Sequence, residues 1–168
     1  MTNPFSEAFR DAESERMKKA QESIELYRQV GIKRLGEIQN FSNQMTTVLI
    51  QFRDAYFKPH LLSSGHCQII EENQSETVRQ YYSQRLCYKA KNDEGDPYWH
   101  SIVTIRLRTN RNTGAAEDFL ITYWPYASSD STYGICELEY QSMIKCLIEI
   151  RKQEDAGRSG QVYPRENL

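Results

Sequence analysis

Between Pro4 and Pro59 the chain runs without a proline, and that stretch limits the folds open to it more than any other feature. Asn3 can cap a helix whose first position is Pro4, where a missing N–H costs nothing. Glu7 then falls in the first turn, at the positive end of the helix dipole. Pro59 ends the helix at about Lys58 by removing a donor and restricting the residue before it. Such a helix would reach about 80 Å, several times the radius of a body this size. Two shapes resolve the mismatch: a projecting helix that pairs with a second chain, or a break near Gly31–Gly36 giving a bent helix or a helical hairpin. Glycine costs about 1 kcal/mol in a helix interior, so Gly31 and Gly36 favour the break.

The two parts of this span differ in pattern. Steps of four and three from Gly31 reach Leu35, Ile38, Ser42, Met45, Leu49, Phe52 and Tyr56, and Phe41 and Val48 widen the seam. Leu35, Ile38, Met45, Leu49, Phe52 and Tyr56 are therefore the expected oligomerisation surface of a homodimer. The first part, "RDAESERMKKAQES", is mostly charged, with Phe5, Phe9, Ala12, Met17, Ala20 and Ile24 making a thin stripe.

After "KPHLLSSGH" the period changes to two. "CQIIEE" reads as a short strand and "TVRQYYSQRLCYKAK" as a long one, with Val78, Tyr82, Leu86, Tyr88 and Ala90 on one parity. "NDEGDP" is a turn, "YWHSIVTIRLRTN" the next strand, and "DFLITYWPYA" a further strand ended by Pro125. From Tyr133 the spacing is helical again, with Cys136, Tyr140, Met143, Leu147 and Ile150 on one stripe and Ile144 and Ile148 beside it. The expected fold class is α+β: a long N-terminal helix, an antiparallel sheet of three to four strands, and a C-terminal helix packed on one sheet face. Residues 1–58 form the helical segment for self-association or a hairpin, 59–155 the sheet and C-terminal helix, and 156–168 a mobile tail without an apolar face.

Alternation along "YWHSIVTIRLRTN" sets Trp99, Val103, Ile105 and Leu107 against Tyr98, His100, Thr104, Arg106 and Arg108. Joined to the matching parity of the preceding strand, the second set predicts an outer face of Arg79, Tyr81, Arg85, Lys89, Tyr98, His100, Arg106 and Arg108, with no acid inside those two strands. Guanidinium groups and ring faces together suit an acidic protein segment, an anionic ligand or single-stranded nucleic acid. A solvated face is the plain alternative. The formal net charge of -2 ranks a protein partner above nucleic acid, because nothing in the whole molecule attracts polyanions over distance.

Other chemistry is thin. His60, His66 and Cys67 offer three metal-competent side chains without a fourth ligand or zinc spacing, so no metal is expected. Cys67, Cys87, Cys136 and Cys146 form no CxxC pair and read as free thiols in a reducing compartment. There is no nucleophile elbow, P-loop, dinucleotide fingerprint or calcium loop, and hence no catalytic residue or cofactor to name. With no signal-peptide pattern and no long apolar run, the expectation is a soluble cytoplasmic protein off the membrane. The function expected is that of a non-catalytic interaction module, adaptor or chaperone-like, which self-associates and presents the basic, aromatic sheet face to a partner. The alternative is an anion-binding or single-stranded nucleic-acid-binding domain, or an enzyme using the same face.

Overall fold

The computed structural model of the chain describes residues 3–56, 66–77, 79–124, 131–156 and 160–163. Helix α1 spans Pro4–Tyr56, 53 residues in one piece. Its start follows the local chemistry: Asn3 Oδ1 accepts the Phe5 N–H at 3.0 Å, and the Asn3 carbonyl accepts the Ser6 N–H at 3.1 Å. Five strands follow as an antiparallel meander: β1 (Cys67–Ser75), β2 (Arg79–Lys91), β3 (Pro97–Asn110), β4 (Ala116–Tyr123) and β5 (Thr132–Cys136). Helix α2 (Tyr140–Asp155) returns across the sheet, and a short strand β6 (Gly160–Tyr163), inside the segment read from sequence as a tail, pairs in parallel with β5. Val78, the Lys58–Pro59 stop, His60 and Pro125 lie outside the described residues.

Both helices pack on one face of the sheet. Met45, Val48 and Leu49 of α1 and Met143, Cys146, Leu147 and Ile150 of α2 share a core with Leu86, Val103, Ile105, Leu107, Phe119 and Ile121. Phe41 meets Phe119 edge to face at 5.6 Å, and Phe52 meets Tyr123 at 6.0 Å. A fully buried polar side chain in this contact, Gln84, is satisfied by the helix. Gln84 Nε2 donates to the Ser42 carbonyl at 3.0 Å, and its Oε1 accepts from Thr46 Oγ1 at 2.8 Å. Leaving either end unpaired would cost about 1–3 kcal/mol, so Gln84 fixes where along α1 the sheet attaches.

Two expectations from sequence are corrected here. First, α1 neither breaks nor forms a hairpin at Gly31–Gly36. Two interior glycines cost about 2 kcal/mol together, but a break would orphan the terminal N–H and C=O groups of two new helix ends. The helix is also held beside both glycines. Arg34 donates to Asn73 Oδ1 at 2.9 Å and to the Tyr81 carbonyl at 3.3 Å, while Lys33 and Glu37 form an ion pair at 2.9 Å. The β3–β4 turn also lies directly on the helix backbone: a Cβ on Gly114 would overlap the Val30 carbonyl oxygen and sit 3.0 Å from the Arg34 nitrogen.

Second, the antiparallel strands number five, with the short β6 added. β5 was hidden because Cys136 continues the apolar spacing of α2 backwards. The backbone instead runs extended through Thr132–Cys136, and the helix starts at Tyr140.

Gly114 and Gly95 both have positive φ, 74° and 85°, but only Gly114 touches another element. Gly95→Ala should therefore lose only the left-handed backbone penalty of about 1–2 kcal/mol. Gly114→Ala should lose clearly more, because the turn must also lift off α1. Chemical denaturation of both variants checks the difference, and equal losses would contradict the contact.

Candidate functional site

The face opposite the helices is built by β1 to β5 and carries the candidate residues, though not all of those expected. Pairing of β2 with β3 shifts register: Leu86 lies opposite Val103, whereas Cys87 lies opposite Ser101. Ile102 is thus the extra residue of a β-bulge, which reverses the inward and outward parity of everything before it on β3. Tyr98 and His100 are consequently on the helix side with Tyr88, not beside Arg106 and Arg108. His100 is 4% exposed, its ring stands 6.3 Å from Tyr88 and 5.1 Å from Trp124, and its Nε2 lies 2.7 Å from the Trp124 carbonyl oxygen. The same reversal turns Trp99 outward, opposite Lys89 in register.

On the outer face the register sets Tyr81 opposite Arg108, Ser83 opposite Arg106, Arg85 opposite Thr104, and Arg108 opposite Asp118. Flanking strands supply acids that the two central strands lack. Arg79 pairs with Glu117 at 2.8 Å, Arg85 with Glu72 at 3.5 Å, and Arg108 grips Asp118 through two bonds of 2.5 and 2.6 Å. Arg108 is only 8% exposed, and its bond to Asp118 raises its pKa further above the ordinary arginine value. The Tyr81 hydroxyl donates to Glu76 at 2.9 Å, and burial, helped by that bond, pushes its pKa up. Arg79, Arg85 and Arg108 are therefore neutralised inside the sheet.

Arg106 differs. It donates to Thr122 Oγ1 at 3.2 Å, is partly buried, and among the described residues has no carboxylate within ion-pair distance. Burial is the largest influence on it and pulls its pKa below the ordinary arginine value; Tyr81 and the more distant carboxylates of Glu72 and Glu76 oppose that shift, and the charge of Arg85 adds to it. The Ser83 hydroxyl, opposite it, is buried without a hydrogen-bond partner, and so is Arg85 Nε. Three groups in one patch are thus short of acceptors or of negative charge, which is the electrostatic deficit that an incoming carboxylate or phosphate oxygen would relieve.

Two of the four thiols are shifted toward the protonated form. Cys146 on α2 is buried beside Cys136 on β5, and that neighbour, with burial, holds the Cys146 thiol far above its usual pKa. Burial also raises Cys67. A thiol so shifted stays protonated at neutral pH and is unreactive. Among the described residues no three His, Cys, Asp or Glu side chains gather as a metal site, and no helix is long and apolar enough to cross a membrane.

Of the residues expected to oligomerise, Met45 and Leu49 are fully buried in the chain's own core, and Ile38, Phe52 and Tyr56 pack against it. Leu35 alone is exposed, at 58%. An apolar cleft of about 340 Å³ between α1 and α2, lined by Val48, Phe52, Ile144 and Ile148 and rimmed by Arg151 and Lys152, was not anticipated from sequence. Its signal was present in the way Val48 widens one seam and Ile144 and Ile148 the other. Compared with known protein families, curated proteins and solved structures, the chain has no match.

Two measurements check this geometry. Asp118→Ala should destabilise the fold by about 2 kcal/mol, since it strands a charged donor that is nearly buried. Glu117→Ala, which removes a more exposed pair, should cost no more than about 1 kcal/mol. Alkylation at pH 8 should leave Cys136 and Cys146 unmodified until the protein unfolds. Rapid native labelling of either would contradict the buried thiol pair.

Proposed function

We propose that the protein is a non-catalytic interaction module, of adaptor or chaperone-like kind. On this reading it self-associates through its N-terminal helix and offers the open sheet face around Arg106 to an acidic segment of a protein partner. The observation that carries the reading is the contrast between Arg106 and its neighbours: three arginines of the face have carboxylates, and the fourth, half-buried beside the unpartnered Ser83 hydroxyl, has none within ion-pair distance among the described residues. An unpaired guanidinium held in a partly dry site interacts more strongly with an incoming anion than one in water.

Exposed aromatic surface supports contact on the same side of the sheet. Trp99 and Tyr133, at 38% and 37% exposure, project from outward-facing register positions on β3 and β5. The working compartment on this reading is the cytoplasm, where four free thiols persist.

Single-stranded nucleic acid or a small anion is the second reading, favoured by the same arginine and the same rings. It ranks lower because tracking a phosphate backbone needs a row of unpaired cations, whereas Glu117, Glu72 and Asp118 already neutralise most of this row.

Titration with an acidic aromatic peptide and with oligo-dT at two salt concentrations separates the readings. The peptide should bind, more weakly at high salt. Arg106→Ser should lower its affinity about tenfold, or roughly 1.4 kcal/mol, with the fold intact. Oligo-dT binding lost in Arg106→Ser would favour the second reading. Binding of neither ligand, or binding indifferent to Arg106, would overturn both.

A further inference from the structure

The part of α1 that extends beyond the body has no cover among the described residues. Every residue from Asn3 to Gln29 is exposed, among them Phe5, Phe9, Met17, Ile24, Leu26 and Tyr27. This stretch is about 40 Å long at 1.5 Å per residue. With roughly 100° between successive residues, Phe5, Phe9, Ala20, Ile24 and Tyr27, with Glu13 and Arg16 among them at the middle, lie along the same line that Ile38, Phe41, Met45 and Leu49 continue into the core. A stripe that is buried against the sheet at one end is thus bare at the other. Helices owe most of their stability to burying such a face rather than to propensity, and the continuity of α1 through Gly31 and Gly36 keeps this end from folding back onto its own body.

The sequence of the bare stretch says what covers it. Residues 3–15 carry Glu7, Asp11, Glu13 and Glu15 against Arg10, while residues 16–29 carry Arg16, Lys18, Lys19 and Arg28 against Glu22 and Glu25. The stretch is a charge dipole along its length. Its stripe is also nearly symmetric about residues 16 and 17, with Phe5 and Phe9 on one side and Ile24 and Tyr27 at matching distances on the other. We infer that residues 3–29 pair antiparallel with the same residues of a second copy of this chain, about a two-fold axis near Arg16 and Met17. This rests on the self-association part of the reading above.

In that arrangement Phe9 comes level with Ile24 of the other copy and Phe5 with Tyr27 and Arg28. Glu13 and Glu15 come level with Lys18 to Ala20. Asp11 opposite Glu22 is a mismatch, whereas Glu25 is already held by Arg28 of its own helix at 2.9 Å. A parallel pair would instead set Glu13 and Glu15 against themselves and Lys18 and Lys19 against themselves. Like charges face each other at both ends of that pair, which opposes it. The contact is isologous, so it closes at two chains and leaves the outer sheet face of each copy free.

The test is photo-cross-linking of the full chain with benzoylphenylalanine in place of Phe9 and, separately, in place of Ile24. Unlabelled and 15N-labelled chains are mixed so that inter-chain products are recognised by mass. The unmodified chain should sediment as a dimer at tens of micromolar. The Phe9 probe should then attach to residues 20–28 of the other copy, and the Ile24 probe to residues 5–13. A dimer whose probes attach to their own positions in the partner, to the cleft between α1 and α2, or to nothing would overturn the antiparallel pair while leaving self-association standing. A monomer at that concentration would overturn both.

Discussion

The attachment of one end of α1 to the sheet is the contact on which the rest of the molecule depends. Burying Met45, Val48 and Leu49 contributes about 1.5–3 kcal/mol for each side chain. Gln84, fully buried and bonded to Ser42 and Thr46, fixes the helix against β2 at one place along its length. The β3–β4 turn at Gly114 fixes it a second time near Val30. Between these two points the helix cannot slide or rotate, so the direction in which residues 3–29 leave the body is set by the core. Both helices use the same sheet face, and among the described residues no other element covers the opposite face.

That uncovered face explains why its charges are arranged as they are. A bare antiparallel sheet rich in arginine would repel itself, and the acids of β1 and β4 lower that cost for Arg79, Arg85 and Arg108. Arg106 sits in the middle, opposite a serine on one strand and a leucine on the other, where the register brings it no carboxylate. The bare stretch belongs to α1, whereas Arg106 lies on β3 and faces away from the helices.

Much of the architecture was legible in the residues because its signals are local. The Asn3–Pro4 start, the change of period after residue 66 and the polar turns come from caps, alternation and turn chemistry that act within a few residues. What escaped depends on tertiary context. The bulge at Ile102 moves Tyr98 and His100 to the helix side, and alternation alone carries no mark of it because Ile102 and Val103 are both apolar and both buried. β5 was lost in the stripe of the following helix, since Cys136 has the right spacing for α2 while belonging to the sheet. The seam from Ile38 to Tyr56 has the pattern of a dimer contact, but the chain's own sheet takes that role, and only packing reveals who covers an apolar face. Ion pairs between β2 and β1, and between β3 and β4, were equally unreadable before the register was known.

Amide hydrogen exchange along α1, measured at sub-micromolar and at high micromolar protein, tests most directly the central claim that this helix is one element serving two contacts. The account predicts that residues 41–54 are protected equally at both concentrations, because their cover is the chain's own sheet. Residues 5–28 should exchange quickly at the lower concentration and become protected at the higher, because theirs is a second chain. Protection of residues 41–54 that falls on dilution, or uniform protection of the whole helix at both concentrations, would contradict it.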